Sequence, residues 1–233
     1  MTVKLFKLGT TLSVAGFAAL APFIAHAASE INVKGIITPS ACTVNVPTGN
    51  DLDWGEITWD SLSKTDFTTL PAKTARIDIN CPEGTTTKTA MWIVDADPTS
   101  AMLGKNSAGR IDHADSGRIF GIGFDPVTKK KIGNFVLKPV STIVDGATNI
   151  ASFGYNRDAA NHMSTPSSRA LMSNWAYYTK EEWSPLDATD KPASGNSFTW
   201  NFEVEPQINI ASQISANTQV PWNGTAQVNV RYY

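Results

Sequence analysis

The residues of this sequence best suited to chemistry are two cysteines and a few histidines and carboxylates. Cys42 and Cys81 form an even pair, which in an exported protein predicts a disulfide. A metal site is the alternative, but zinc needs four closely spaced ligands, and no C-x-x-C motif is present. Closing a loop of about 40 residues removes chain entropy worth roughly 4 kcal/mol. We therefore expect a structural disulfide.

The remaining polar residues form no pattern typical of a catalytic site. His113 and His162 lie in polar segments, with no spacing to a cysteine or carboxylate that suggests a triad or a metal. The acidic pairs in segments 95–97 and 112–115 could bind calcium, but they lack its spaced-ligand pattern and are typical of turns. No G-x-S-x-G, H-E-x-x-H or Walker motif is present. We expect no enzyme activity, no metal and no cofactor.

The amino terminus carries an export signal. Lys4 and Lys7 precede an apolar segment over residues 8–24, and Ala25-His26-Ala27 is a cleavage motif of small residues. A transmembrane anchor is the alternative, but the apolar segment is short for a membrane span and contains a proline. The sequence predicts a signal peptide over residues 1–27, and no later stretch is apolar enough to span a membrane.

The exported part predicts strands and no long helix. Apolar residues alternate with polar ones near Cys42, before Cys81 and over residues 198–204, a strand that we expect to stop at Pro206. The last strand alternates in the same way, with one face made of Ala226, Val228, Val230 and Tyr232. Short strands separated by turns predict an all-β sandwich. We expect one domain over residues 28–233, with an expanded loop or added hairpin over residues 142–196.

Charge excludes one class of partner. The formal net charge is −2 and charged residues make up 17% of the chain, without a basic stripe. Proteins that bind nucleic acid display such a stripe. Nucleic acid is therefore not an expected partner.

The order of these elements resembles that of the chaperone–usher pilins. Residues 31–44 match the K-G-x-[IV]-x-x-x-x-C-x-V pattern of their first strand, and Cys81 lies where their second cysteine does. Residues 121–132 resemble their central hairpin, and the last strand resembles theirs, with Tyr232 as the penultimate residue. The resemblance covers residues 31–140 and 198–233. It is closest to a group of uncharacterised pilin-like exported proteins of Gram-negative bacteria.

The resemblance implies an immunoglobulin-like sandwich that lacks one strand. A periplasmic chaperone supplies a strand first, and in the fimbria the N-terminal extension of a neighbouring subunit replaces it. The expected partners are the chaperone, an usher and other pilin-like subunits. On this basis Ala226, Val228, Val230 and Tyr232 contact the inserted strand. The Cys42–Cys81 disulfide staples the sheet before assembly. The expected location is the periplasm, and then a fimbria or the cell surface.

Two features depart from the pilin pattern. Cleavage after Ala27 leaves only three residues before Ile31, so the segment that pilins donate to a neighbour is nearly absent. This is expected of a tip subunit, a terminator or a non-polymerising relative of the pilins. Pilins also often place a glycine about fourteen residues from the end, where this chain has Val220, with Gly224 nearer the terminus.

An aromatic segment supports a second interpretation. Residues 175–183 include four aromatic residues, Trp175, Tyr177, Tyr178 and Trp183. Exposed together, they would form a platform for a glycan or a host protein, as in a secreted adhesin or lectin-like module. The alternative is that they cover the sandwich or belong to its core.

The position of signal cleavage can be measured directly. We expect the exported protein to begin at Ala28, because the small-residue motif ends at Ala27. Mass spectrometry of the protein recovered from the periplasm would identify its first residue. Cleavage well before Ala27 would restore a donor segment and contradict the prediction of a subunit that cannot donate a strand.

Overall fold

The computed structural model describes residues 41–47, 51–104, 113–149, 153–156, 171–172, 181–189 and 191–232. The chain separates into two units, Met1–Thr38 and Pro39–Tyr233, and all described residues belong to the second. The predicted signal peptide and the predicted strand from Ile31 lie outside the described residues.

The described residues form a nearly all-β structure, as predicted. Two single-turn 3-10 helices, Trp59–Ser61 and Ala211–Gln213, interrupt the strands. The strands are β1 (Thr43–Asn45), β2 (Thr68–Thr69), β3 (Lys73–Asn80), β4 (Thr87–Asp95), β5 (Phe120–Gly121), β6 (Gly133–Val144), β7 (Ala147–Asn149), β8 (Phe153–Asn156), β9 (Glu181–Ser184), β10 (Ser194–Gly195), β11 (Ser197–Ile208) and β12 (Ala226–Tyr232).

These strands form two sheets in which neighbouring strands are antiparallel. The first sheet has the order β1-β3-β11-β6-β5, with β2 also pairing with β11 and β7 with β6. The second has the order β10-β4-β9-β8, with β12 also pairing with β4. The predicted hairpin near residue 121 is present as β5 and β6. Within residues 142–196, the described residues include β7, β8, β9 and β10.

Both sheets contribute side chains to one apolar core, which makes the structure a sandwich. Ile79 of β3 and Trp200 of β11 come from the first sheet, and Met91 and Ile93 of β4 come from the second. Each of these four side chains is at most 1% exposed. Alternation explains their placement, since every second residue of a strand points to the same face. Burying one such side chain stabilises the fold by about 1.5–3 kcal/mol.

The predicted disulfide joins Cys42 and Cys81. It links the segment just before β1 to the residue just after β3, beside the Thr43–Asn80 pair. Strand β1 contributes only three residue pairs to the sheet, so its ladder alone is a weak attachment. The covalent link therefore holds β1 at the border of the first sheet.

One strand boundary was predicted wrongly. The sequence suggested that the strand over residues 198–204 stops at Pro206, but β11 continues to Ile208. Proline cannot donate a backbone hydrogen bond. Pro206 is tolerated because it follows the last pair with β3, at Val204, and precedes the first pair with β2. Its carbonyl accepts the N–H of Leu70 at 2.9 Å.

No helix among the described residues is long and apolar enough to cross a membrane.

Removing the disulfide should destabilise the sandwich and loosen β1. For the double variant Cys42→Ala, Cys81→Ala we expect the free energy of unfolding to fall by about 2–4 kcal/mol, because the unfolded chain gains entropy. Urea denaturation measures this loss, and hydrogen exchange at the β1 amides measures the loosening. Reduced wild-type protein is the control and should behave like the variant. An unchanged denaturation midpoint would contradict a structural role for the disulfide.

Candidate functional site

The last strand lies at the border of the second sheet. β12 pairs with β4 along its whole length, from Ala226 opposite Asp95 to Tyr232 opposite Thr89. No other described strand pairs with it, so its second edge has no ladder partner in the described part of the chain. An edge of this kind presents backbone donors and acceptors to another strand.

One face of β12 points into the sandwich. Val228 lies opposite Ile93 and Val230 opposite Met91, and these two β4 side chains are fully buried. Directly opposed residues share a face, so the row predicted from sequence, Ala226, Val228, Val230 and Tyr232, faces inward. Its members are nevertheless only half-buried, and Tyr232 is 39% exposed. Core-facing apolar side chains of β12 therefore remain partly exposed.

The border of the first sheet also has a core-facing side chain that is exposed. Val44 of β1 lies opposite Ile79, which is 0% exposed, yet Val44 itself is 43% exposed. Val46, two residues further on, is 50% exposed. Inward-facing valines of a closed sandwich would be covered. Both bordering strands, β1 and β12, thus leave core-facing apolar side chains uncovered.

A groove with a volume of about 1430 Å³ lies between these borders. Its floor comes from both sheets and is apolar: Ile77, Ile93, Phe135, Leu137, Phe202 and Val204. Pockets for small molecules usually measure about 300–1,000 Å³. The groove is larger than these, and its size suits an extended peptide segment. Of the four β12 residues predicted to contact an inserted strand, Ala226 and Val228 line the groove, whereas Val230 and Tyr232 are not among its lining residues.

The segment 51–59 also lines the groove and forms no sheet ladder. Leu52, Trp54, Ile57 and Trp59 pack their side chains against the core. Two tryptophan ring N–H groups fix the segment: Trp54 donates to the Pro71 carbonyl at 2.8 Å, and Trp59 to the Ile214 carbonyl at 3.0 Å. The sequence predicted a short apolar piece here without indicating that it borders a groove.

The segment that leads into β12 is held by one buried carboxylate. Asp125 is 0% exposed, and its Oδ1 accepts the backbone N–H groups of Val127 at 2.7 Å and Thr128 at 2.9 Å. Its Oδ2 accepts the N–H of Ser215 at 2.7 Å, and the Ser215 hydroxyl donates to Oδ1 at 3.0 Å. Burial by itself raises the pKa of Asp125, but these donors outweigh it and the pKa lies below its usual value.

Gly224 explains how the chain enters β12 so close to the core. A Cβ atom at this position would lie 2.7 Å from the Gly121 carbonyl oxygen and 2.5 Å from the Phe135 ring. Only glycine fits between these two neighbours. Gly224 lies nearer the terminus than the glycine of the pilin pattern. Because it has no side chain, the backbone can pass close to Gly121 and Phe135.

Most of the aromatic segment 175–183 lies outside the described residues. Trp175, Tyr177 and Tyr178 lie outside the described residues. Trp183 lies in β9 opposite Met91, is 3% exposed and belongs to the core. Its ring has no exposed face to offer a ligand.

A buried polar cluster that the sequence did not indicate lies on the other face of the first sheet. His113 is 0% exposed; its Nδ1 lies 2.5 Å from Asn134 Oδ1 and its Nε2 3.2 Å from Glu205 Oε1. Asn134 and Glu205 alternate with Phe135 and Val204, which line the groove, so the cluster faces away from it. It attaches the segment around His113 to the sheet.

Of the acidic residues considered as calcium ligands, Asp112 lies outside the described residues, and Asp95 and Asp97 accept hydrogen bonds from the protein itself. Asp95 accepts the N–H groups of Gly121 at 2.7 Å and Asp97 at 2.9 Å. Burial raises the pKa of Asp95 more than these hydrogen bonds lower it. Asp97 itself accepts the Thr99 hydroxyl at 2.6 Å. Within the described ranges, no group of three or more His, Cys, Asp or Glu side chains is placed to hold a metal ion.

Comparison with known proteins identifies only a family without an assigned function. Residues 31–135 match the model of a protein family of unknown function, DUF1120. This match covers less than half of the chain and includes β1 to β5. No curated protein matches the sequence.

Replacing Asp125 by asparagine should loosen the wall that leads into β12. The amide Nδ2 would replace Oδ2 and place a donor against the Ser215 N–H. We expect the free energy of unfolding at pH 7 to fall by about 2–3 kcal/mol, because a buried donor loses its acceptor. Thermal or urea denaturation measures this change. Asp60→Asn, an exposed carboxylate without a hydrogen bond among the described contacts, is the control.

The same pair of proteins gives a pH test. The pKa of Asp125 is lower in the folded state, so its stabilisation is present above the unfolded-state pKa of about 3.9 and is lost as the pH falls through the folded-state pKa. The stability difference between wild type and Asp125→Asn should therefore be largest near neutral pH and shrink in acid. A difference that does not change with pH would contradict the role of the ionised carboxylate.

Proposed function

We propose that this protein is a pilin-like structural subunit that is assembled by accepting a β-strand into the groove beside β12. The observation that carries this proposal is the incomplete cover of the core at both borders. Val46, next to β1, is 50% exposed and Val228 of β12 is only half-buried, and both side chains line the groove. A single extended segment in the groove would cover both.

The chemistry of the groove favours a strand over other occupants. The edge of β12 that has no ladder partner among the described strands offers N–H and C=O groups in a regular row, which a peptide backbone can pair with. Alternate side chains of that peptide would point to the apolar floor, which includes Phe135, Phe202 and Ile93. The backbone pairing would supply affinity, and the alternate side chains would supply selectivity.

The partners follow from the resemblance of the sequence to chaperone–usher pilins. We propose a periplasmic chaperone, an usher and other pilin-like subunits as the proteins that the chain contacts in turn. Export to the periplasm would allow the Cys42–Cys81 disulfide to form before assembly. With cleavage after Ala27, three residues would precede Ile31, and the subunit would accept a strand at a tip or terminal position.

The second interpretation, a secreted module that binds a glycan or a host protein through residues 175–183, receives less support. It needs several exposed aromatic rings, and Trp183 is buried in the core. The groove, in contrast, needs no residue outside the described ranges. Assembly by strand insertion is therefore the function that the geometry favours.

A synthetic peptide of alternating valine and threonine residues tests the proposal. Refolding the disulfide-bonded protein with this peptide should raise its melting temperature, since the peptide covers apolar surface that is otherwise exposed. Val228→Asp should abolish the effect, because it places a charge in the groove. Gln227→Asp is the matched control, since Gln227 is exposed on the opposite face of β12, and it should retain the effect.

Two further peptides make the test independent of whether the variants fold. A peptide of the same composition with its valines contiguous should bind weakly, because its side chains do not alternate. An alternating peptide with N-methyl groups on the N–H groups that face β12 should also fail, because it cannot donate hydrogen bonds. A melting temperature that no peptide changes, together with glycan binding by the monomer, would overturn the proposal in favour of the binding module.

A further inference from the structure

The segment 51–60 gives one end of the groove a distinct charge. It contains Asp51, Asp53, Glu56 and Asp60 and no lysine or arginine, whereas the whole chain has 19 basic and 21 acidic residues. The first three of these carboxylates are the only charged side chains among the described residues that line the groove. We call Asp51, Asp53 and Glu56 the acidic lip.

The acidic lip lies beside a pair of tryptophans at the start of β12. Trp54, within the lip segment, and Trp222 have ring centroids 5.9 Å apart, and the rings are inclined by 42°. Both rings line the groove and are only partly buried. Aromatic faces attract cations, and carboxylates do so more strongly. The lip and the tryptophans together therefore form an end of the groove that suits a positively charged side chain.

Lys73 already places one cation on the Trp54 ring, so the surface left for a second cation is formed by Asp51, Glu56 and Trp222. Its Nζ lies 5.2 Å from the centre of the Trp54 ring, and it donates a hydrogen bond to the Asp53 backbone carbonyl. Lys73 does not line the groove. In the described part of the chain, the carboxylates of Asp51 and Glu56 form no salt bridge, so they remain open to a cation from outside.

We infer that the strand accepted by the groove carries a lysine or arginine at the end that lies beside Trp222. This inference rests on the proposed function and adds the chemistry of the partner. The occupant is an extended segment of another protein chain, with alternating apolar side chains over the groove floor and a basic residue at the acidic lip. The apolar floor does not define a register by charge, so the lip would fix which end of the strand enters where.

Charged versions of the alternating peptide test this inference. In the first pair of peptides, two lysines or two glutamates are added at the carboxyl end. In the second pair, the same residues are added at the amino end. We expect the lysine peptide with its charges beside Trp222 to bind about five-fold more tightly than its glutamate counterpart at low salt. Replacing lysine by glutamate at the other end of the peptide should have little effect on binding. The end at which the replacement matters therefore shows the direction in which the strand lies in the groove.

Salt and a matched pair of variants identify the source of the difference. In 1 M NaCl, where charges are screened within about 3 Å, the preference should disappear. It should also disappear in Asp51→Asn, Glu56→Gln, whose replaced side chains form no hydrogen bond among the described contacts. The control, Asp60→Asn, Glu83→Gln, removes two exposed carboxylates outside the groove lining and should keep the preference.

The outcomes separate this inference from the proposed function. Equal binding of the lysine and glutamate peptides would overturn the basic end but leave strand insertion intact. Loss of the preference in the control variant would also overturn the inference, because the acidic lip would not be its source. Failure of every peptide to bind would overturn strand insertion and the inference with it.

Discussion

The structure depends on one constraint: its two sheets share a core that the described strands do not close. In an antiparallel sandwich the inward side chains of every strand must be covered, because exposed apolar surface costs about 25 cal/mol per Å². Here Val44 on one border and Val228 and Tyr232 on the other face inward and remain partly exposed. This apolar surface lies beside the edge of β12 that has no ladder partner among the described strands. One additional strand would cover the apolar surface and pair with the backbone groups of that edge.

Elements around the groove keep it in shape, and they use different interactions. The disulfide ties β1 to the end of β3 on one border. On the other, Asp125 holds the approach to β12 through backbone N–H groups, and Gly224 lets that approach pass against Phe135. The tryptophan N–H groups of segment 51–59 reach backbone carbonyls across the groove end. Each of these contacts is made between described residues, so they hold the borders of the groove without an inserted strand.

The other face of the first sheet carries a buried polar cluster instead of a groove. There the buried side chain of His113 contacts Asn134 and Glu205. Buried polar groups of this kind are hydrogen-bonded, and these contacts fix the position of His113 on the sheet. One face of this sheet is thus completed by the chain itself, while the other opens towards the groove. This asymmetry is the physical basis for assigning the functional surface to the groove.

The sequence by itself determined the all-β class, the inward-facing row of β12 and the pairing of the two cysteines. The alternation of side chains and the number of cysteines can be read directly from the chain. It did not determine that β12 borders β4, that β11 passes through Pro206, or that Trp183 is buried. It also gave no sign that His113 is buried or that Trp54 meets Trp222. Each of these depends on contacts between residues far apart in the chain. The alternation of side chains along a strand predicts which face of the sheet a residue lies on, but it does not predict which residues pack against that face. Only the tertiary structure decided which inward-facing residues are covered, and therefore where the sandwich stays open.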